Sequence, residues 1–231
     1  TVAVGMRACR QAMAGAAPVF CTLVPEAGFR PLRERHPEHA LTALFIDQPL
    51  PRFLRLIRAM LPEVSGIGVP LAATSTRAHQ GLEVAAARQR IAVAVASIAD
   101  ERSAVRAIEG LIEHNEALLA LFEPEVLTPR TAKWLLLLAY EQQRPVIGYS
   151  RALVEAGAVA GLHTPLTALG EETAAAVLAV LAAVGQPLPE PRYPRAFAVL
   201  VNTAVARYLG LELPSPAALE ARVRELEETS Q

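Results

Sequence analysis

Net charge is the first thing this sequence lacks: 22 basic residues face 23 acidic ones, a formal balance of −1 over 231 residues. With no excess of either sign there is no electrostatic footprint for a phosphate backbone or an anionic membrane surface, so nucleic acid is not an expected partner. Lysine is nearly missing as well, since Lys133 is the single one and the other basic residues are Arg. The arginines are scattered and form no patch, which reads as composition bias. Long hydrophobic runs are also lacking: the most apolar stretches, 134–139 and 174–184, fall well short of the roughly 20 residues a membrane span needs. Cysteine is limited to Cys9 and Cys21, whose spacing fits no zinc or redox motif. Two buried thiols are the expectation, with a disulfide as the alternative. Residues 1–4 read as a strand, without a charged n-region or cleavage site, so any signal peptide is expected to have been removed already.

Signatures of catalysis are likewise missing. Gly66-Ile67-Gly68 lacks the third glycine of a dinucleotide fingerprint and lies within a strand instead of after one, and no GxxxxGK[ST] loop occurs. Gly148-Tyr149-Ser150 stands where a nucleophile elbow would, yet Arg151-Ala152 follows in place of the second glycine that turn requires. His36 and His39 flank Pro37 in a stretch read as a solvated loop, which aims no pair of rings at a metal, so no metal site is expected. Glu123 and Glu125 flank Pro124 just past a strand end and are read as lining a cleft or facing solvent. Neither an enzyme nor a cofactor is expected.

What is present is apolar surface and alternation. At 52% hydrophobic residues the chain can fill one large core or two modest ones. Short aliphatic or β-branched runs are each followed by a stretch with helical spacing, the pattern of parallel sheets covered by crossover helices. Nine strands are predicted, at 1–4, 19–24, 41–46, 66–69, 91–96, 117–122, 146–149, 158–163 and 195–201. Thr128-Pro129, Thr164-Pro165 and Ser215-Pro216 each place a hydroxyl at an N-cap and Pro at the first helical position, Asn202 can cap a further helix, and Gly210 should stop it. Residues 25–39, with Pro25, Gly28, Pro31 and Pro37, read as a long surface connection, and 185–191 as a second break. Two breaks so far apart suit two lobes joined by several crossings.

Several blocks resemble the family of ABC transporter substrate-binding proteins that includes aromatic amino-acid binders. Residues 51–62 followed by 66–69 are similar to its helix, "LLP" turn and "IGV" strand. Residues 144–150 running on through 154–162 are similar to its "PVFGYS…VEAGALAG" block, 200–214 to its "LVINLKTAKALGLTIP" ending, and 2–8 to its "VAVG" strand and turn. The resemblance implies an α/β fold of two Rossmann-like lobes with parallel sheets and a three-crossing hinge, the type I periplasmic binding fold. Lobe 1 would be 1–41 plus 158–194, and lobe 2 would be 42–157 plus 195–231. The family has further βα units before the "VAVG" strand, so the first lobe is expected to be incomplete at its N-terminus.

The implied function is the periplasmic or extracytoplasmic solute-binding component of an ABC importer. It would be a monomer that closes by its hinge on a small organic ligand between the lobes and is recognised by a membrane permease. The cleft would be lined by Met6, Arg7, Asp47, Gln48, Thr74, Ser75, Thr76, Glu123, Thr128, Tyr149 and Ser150, with Arg7 serving an anionic group. Residues 70–76 and 123–128 replace the polar turns of the amino-acid-binding members, which argues against a free amino acid as ligand. A ligand-sensing module for a regulator or receptor is the main alternative, and an α/β hydrolase using Ser150 or the Glu123 and Glu125 pair ranks last.

Overall fold

The computed structural model describes residues 1–183 and 185–229, with the side chains of Thr76 and Arg77 outside the description. The chain divides into two units, Thr1–Gln48 with Thr164–Phe197, and Pro49–His163 with Ala198–Gln231, so it passes between them three times. These crossings lie later than the sequence suggested. The run at 41–46 was assigned to the second lobe and that at 158–163 to the first, but parallel pairing keeps each strand with its neighbour in sequence.

Unit 1 contains β1 (Val2–Val4), α1 (Gly5–Ala12), β2 (Val19–Val24), α2 (Glu26–Arg35), β3 (Leu41–Phe45) and, after the second crossing, α8 (Leu166–Ala182). Its three strands are parallel in the order β1-β2-β3. One core, with Cys9, Val19, Cys21, Phe29 and Phe45, lies under α1 and α2, and on the other face Phe20 and Leu44 meet Leu169 of α8. The helix α2 corrects the expected surface connection. Phe29 and Leu32, one helical turn apart, are both buried, and burying each is worth about 2 kcal/mol. That outweighs the roughly 3 kcal/mol cost of Pro31 inside the helix. The cysteines also depart from expectation: Cys9 of α1 and Cys21 of β2 have Cα atoms 5.7 Å apart and form a disulfide.

Unit 2 contains α3 (Leu50–Met60), β4 (Gly66–Ala72), α4 (Thr76–Arg88), β5 (Ala92–Ile98), α5 (Glu101–His114), β6 (Ala117–Ala120), α6 (Pro129–Glu141), β7 (Val146–Gly148), α7 (Arg151–Ala156) and β8 (Ala160–His163). After the third crossing come β9 (Ala198–Val201), α9 (Thr203–Tyr208) and α10 (Pro216–Glu228). The sheet order is β5-β4-β6-β7-β8-β9, parallel except that β9 runs antiparallel to β8. The sign of that last pair follows from the connections: β8 ends where the chain leaves unit 2, and β9 begins where it comes back. The two strands therefore share that end of the sheet in opposite directions.

Local signals account for most element boundaries. Thr128, Ser150, Asn202 and Ser215 accept hydrogen bonds from the backbone N–H three residues on, capping α6, α7, α9 and α10. Gly210 follows α9 with φ +66°, the left-handed stop expected of it. Thr164 does not cap α8. Its hydroxyl donates instead to the carbonyl of Ile46 at 2.6 Å and accepts from Gln48 at 2.6 Å. The β7 and β8 strands approach so closely that a Cβ on Gly161 would sit 2.5 Å from the carbonyl oxygen of Gly148. Glycine in this block is thus a packing requirement. Among the described residues, no helix is long and apolar enough to cross a membrane.

Candidate ligand site

In unit 2 the chain goes from β4 outward to β5 and then returns to place β6 on the other side of β4. In an open α/β sheet the carboxyl ends of two strands separated by such a reversal frame a crevice that suits a ligand. The loop after β4 carries Thr74 and Ser75, and the loop after β6 carries Glu123 and Glu125. These meet across the switch point: the Ser75 hydroxyl donates to Glu123 at 2.8 Å, the Ala72 N–H donates to Glu123 at 3.4 Å, and the Thr74 hydroxyl donates to Glu125 at 3.3 Å. Glu123 is buried, and burial pushes its carboxyl above the usual range, partly offset by those two donors. Glu125 is exposed.

One strand further, Tyr149 follows β7 and is half-buried, which raises its phenol pKa. Its ring meets the exposed Phe122 edge-on, with centroids 5.4 Å apart. Ser150 accepts from the Leu153 N–H at 3.2 Å as the cap of α7. Thr128 accepts from the Thr131 N–H at 3.2 Å as the cap of α6. The structure therefore gathers Thr74, Ser75, Glu123, Thr128, Tyr149 and Ser150 along the carboxyl edge of one sheet. Thr76 begins α4 at the same edge, but its side chain lies outside the described residues. Two groups on this edge went unnoticed in the sequence. Phe122 was read only as the end of a strand, and His163, at the end of β8, buries Nδ1 without a partner among the described residues. Burial lowers the pKa of that imidazole.

Unit 1 presents its own carboxyl edge. Met6 and Arg7 follow β1, Glu26 follows β2, and Asp47 and Gln48 follow β3. Arg7 is exposed and makes no ion pair or hydrogen bond among the described residues. Met6 packs against Gly28 and is partly buried on the unit's core. Asp47 accepts from the N–H of Glu26, and burial is the main cause of its pKa rising to about 6. The Glu26 carboxylate in turn accepts from Tyr193 and from Arg30, and burial together with that bond raises the Tyr193 phenol. Gln48 is buried and donates to Thr164 at 2.6 Å and to the Ala196 carbonyl at 3.1 Å, three positions that all border crossings. Reading residues 25–39 as a loop hides Glu26 at a helix start, and Tyr193 lies in no predicted element. His36 and His39 likewise serve local structure: His36 lies 3.5 Å from Glu38, and His39 bonds the Met13 carbonyl at 2.8 Å.

Comparison with known proteins settles the family. The model of the ABC transporter substrate binding protein family matches residues 35–222. The chain belongs to that family. Its members bind solutes and catalyse no reaction, so no catalytic role is assigned to Ser150 or to Glu123 and Glu125. No curated protein matches the sequence. Among solved structures, a conserved domain protein from Vibrio cholerae is 24% identical with a TM-score of 0.69, over 96% of this chain and 76% of that one. An ABC domain from Streptococcus pneumonia in complex with L-Trp is 16% identical with a TM-score of 0.68, over 93% and 74%. A ligand-free, open substrate binding protein with adhesive properties from Clostridium difficile is 18% identical with a TM-score of 0.72, again over 93% and 74%. At these identities the likeness shows the type I periplasmic binding fold that the substrate-binding family shares.

Proposed function

We propose that this substrate-binding protein is the extracytoplasmic component of an ABC importer, taking up a small organic solute by hinge closure and presenting it to a membrane permease. The observation that carries the reading is the switch point of unit 2, where Ser75 and Glu123 converge from two strand ends beside the Phe122 and Tyr149 rings. Such an edge offers a hydroxyl, a carboxyl held largely out of water, and aromatic faces for a planar or apolar portion of the solute. Arg7, exposed at the carboxyl edge of unit 1, serves an anionic group. The complex of the S. pneumonia relative with L-Trp supports a small organic molecule as the class of ligand for this fold. The Cys9–Cys21 disulfide supports an oxidising, extracytoplasmic compartment.

A thermal-shift screen of amino acids, short peptides and small organic acids tests the reading, because a ligand that binds the folded chain raises its melting temperature by mass action. For a hit, Ser75→Ala and Tyr149→Ala should each weaken affinity about tenfold, a loss of about 1.4 kcal/mol. Arg7→Ala should do so only for solutes bearing an anionic group. Hits that all three variants bind unchanged would remove both edges from the site.

A further inference from the structure

The outer face of α6 in unit 2 is apolar where a solvent-facing helix is ordinarily polar. The helix buries Thr131, Leu135, Leu136 and Ala139 and turns Trp134, Leu137 and Tyr140 outward, 41%, 45% and 42% exposed. Tyr208 of α9, also exposed, lies flat on Tyr140 with ring centroids 3.8 Å apart, so the strip widens at that end. These are four of the six exposed large hydrophobics of unit 2 among the described residues. Trp and Tyr are the residue types that protein interfaces favour.

The charges on this face are sorted by end. Arg130 and Lys133 are exposed near the start of α6, and Glu141 is exposed at its last residue. At about 100° per residue, Leu137 lies at the centre of the exposed arc. Lys133 and Tyr140 fall on one flank, Trp134 and Glu141 on the other, and Arg130 close to the centre. Beside Arg130 and Trp134 a groove of about 380 Å³ opens toward Glu101, Arg102 and Val105 of α5. Arg130 stands 3.8 Å from Glu101 there, a loose pair at the surface.

We propose that this face is the interface of a two-fold dimer, in which α6 packs antiparallel against α6 of a second copy with Leu137 of both chains at the axis. A two-fold axis running across the helices keeps each flank on its own side and reverses its direction. Lys133 therefore meets Tyr140 of the second copy and the Tyr208 ring stacked on it, a cation against aromatic rings. On the other flank Trp134 and Arg130 meet Glu141 of the second copy at the mouth of the groove. Each contact occurs twice. Charge selects both the occupant and the direction: a face with cations at one end and an anion at the other complements its own copy when antiparallel, and sets like against like when parallel. The helix macrodipoles favour the same direction. Such a dimer departs from the monomer that the family resemblance implies. Because α6 has 13 residues, the buried area falls at the low end for a specific interface, and association in the micromolar range is expected.

Sedimentation velocity on the full chain, from low-micromolar concentrations to about 200 µM, should show a species of twice the 24.7 kDa chain mass. Leu137→Lys sets two cations against each other at the axis and should raise the dissociation constant about 100-fold or more. Arg130→Glu and Glu141→Lys, each acting twice, should separately raise it about tenfold, and the double variant should return to within about threefold of the parent. Both charge changes suit the dipole at their end of the helix, and far-UV circular dichroism confirms that each variant is folded. Val84→Lys, exposed on α4, should leave the dimer unchanged. A monomer throughout would overturn the proposal. So would a dimer that survives Leu137→Lys or is lost with Val84→Lys, or single charge variants that weaken it with no recovery when combined.

Discussion

At the scale of single residues, Asp47 shows what burial at a strand end costs. Its carboxyl is held at about 6 against an ordinary 3.8, chiefly by desolvation. The folded chain therefore binds a proton more tightly than the unfolded one, and the sign is opposite to that of a salt-bridged carboxylate. Stability is greatest below about pH 4 and declines as pH rises through the window from 3.8 to about 6, by roughly 3 kcal/mol for this group. Asp47→Asn retains an acceptor for the Glu26 N–H and removes the titration. Urea denaturation at a series of pH values should find the variant more stable than the parent at pH 7, with the difference fading toward pH 4. A constant difference across that range would show that Asp47 does not titrate on folding. Gly161 is a second residue whose role is local: with Gly148 in the way of any Cβ, Gly161→Ala should destabilise the chain by about 3 kcal/mol, read as a lower urea midpoint. Both positions were legible in part, Asp47 as a candidate at a strand end and Gly161 within a family block. The reason for the glycine was not, because it lies in the spacing of two strands.

Secondary-structure elements were legible wherever the signal was local. All nine strands among the described residues overlap predicted runs, with β4 and β5 extending beyond theirs, and Thr128, Asn202 and Ser215 cap the helices they are expected to cap. The failures came where tertiary contact outweighs local preference. The helix α2 forms across Pro31 because Phe29 and Leu32 reach the core, and Thr164 is drawn from a capping role to the Ile46 carbonyl by a partner 118 residues away in sequence. The disulfide belongs to the same class, since two cysteines give no sign of proximity until α1 folds back on β2. It closes a loop with a sequence separation of 12, so Cys9→Ser with Cys21→Ser should cost about 3 kcal/mol, and reductant should lower the melting temperature of the parent but not of the double variant. Ser150→Ala should cost about 1 kcal/mol through loss of the α7 cap, measured by denaturation. Ligand affinities of that variant must be compared at temperatures well below its melting point.

For the molecule as a whole, the sequence carried the two-unit plan and the three crossings through a resemblance, while the places of the crossings came from strand pairing. The β3 and β8 strands stay with the sheets their registers join, and no local pattern could say so. The candidate site was legible to a similar degree. Strand ends named Ser75, Glu123 and Tyr149, but only the order β5-β4-β6-β7-β8-β9 shows that Ser75 and Glu123 flank the reversal where a crevice forms. Gln48, expected in the cleft, also donates to Thr164 and to the Ala196 carbonyl, residues close to the second and third crossings. The central claim is that this member of the substrate-binding family holds one small solute at that edge. Isothermal titration of the chain with the solute that most raises its melting temperature tests this most directly. One saturable site per chain, weakened about tenfold or more by Ser75→Ala, is the predicted result. Heats that do not saturate, or a site that Ser75→Ala leaves at full affinity, would contradict it.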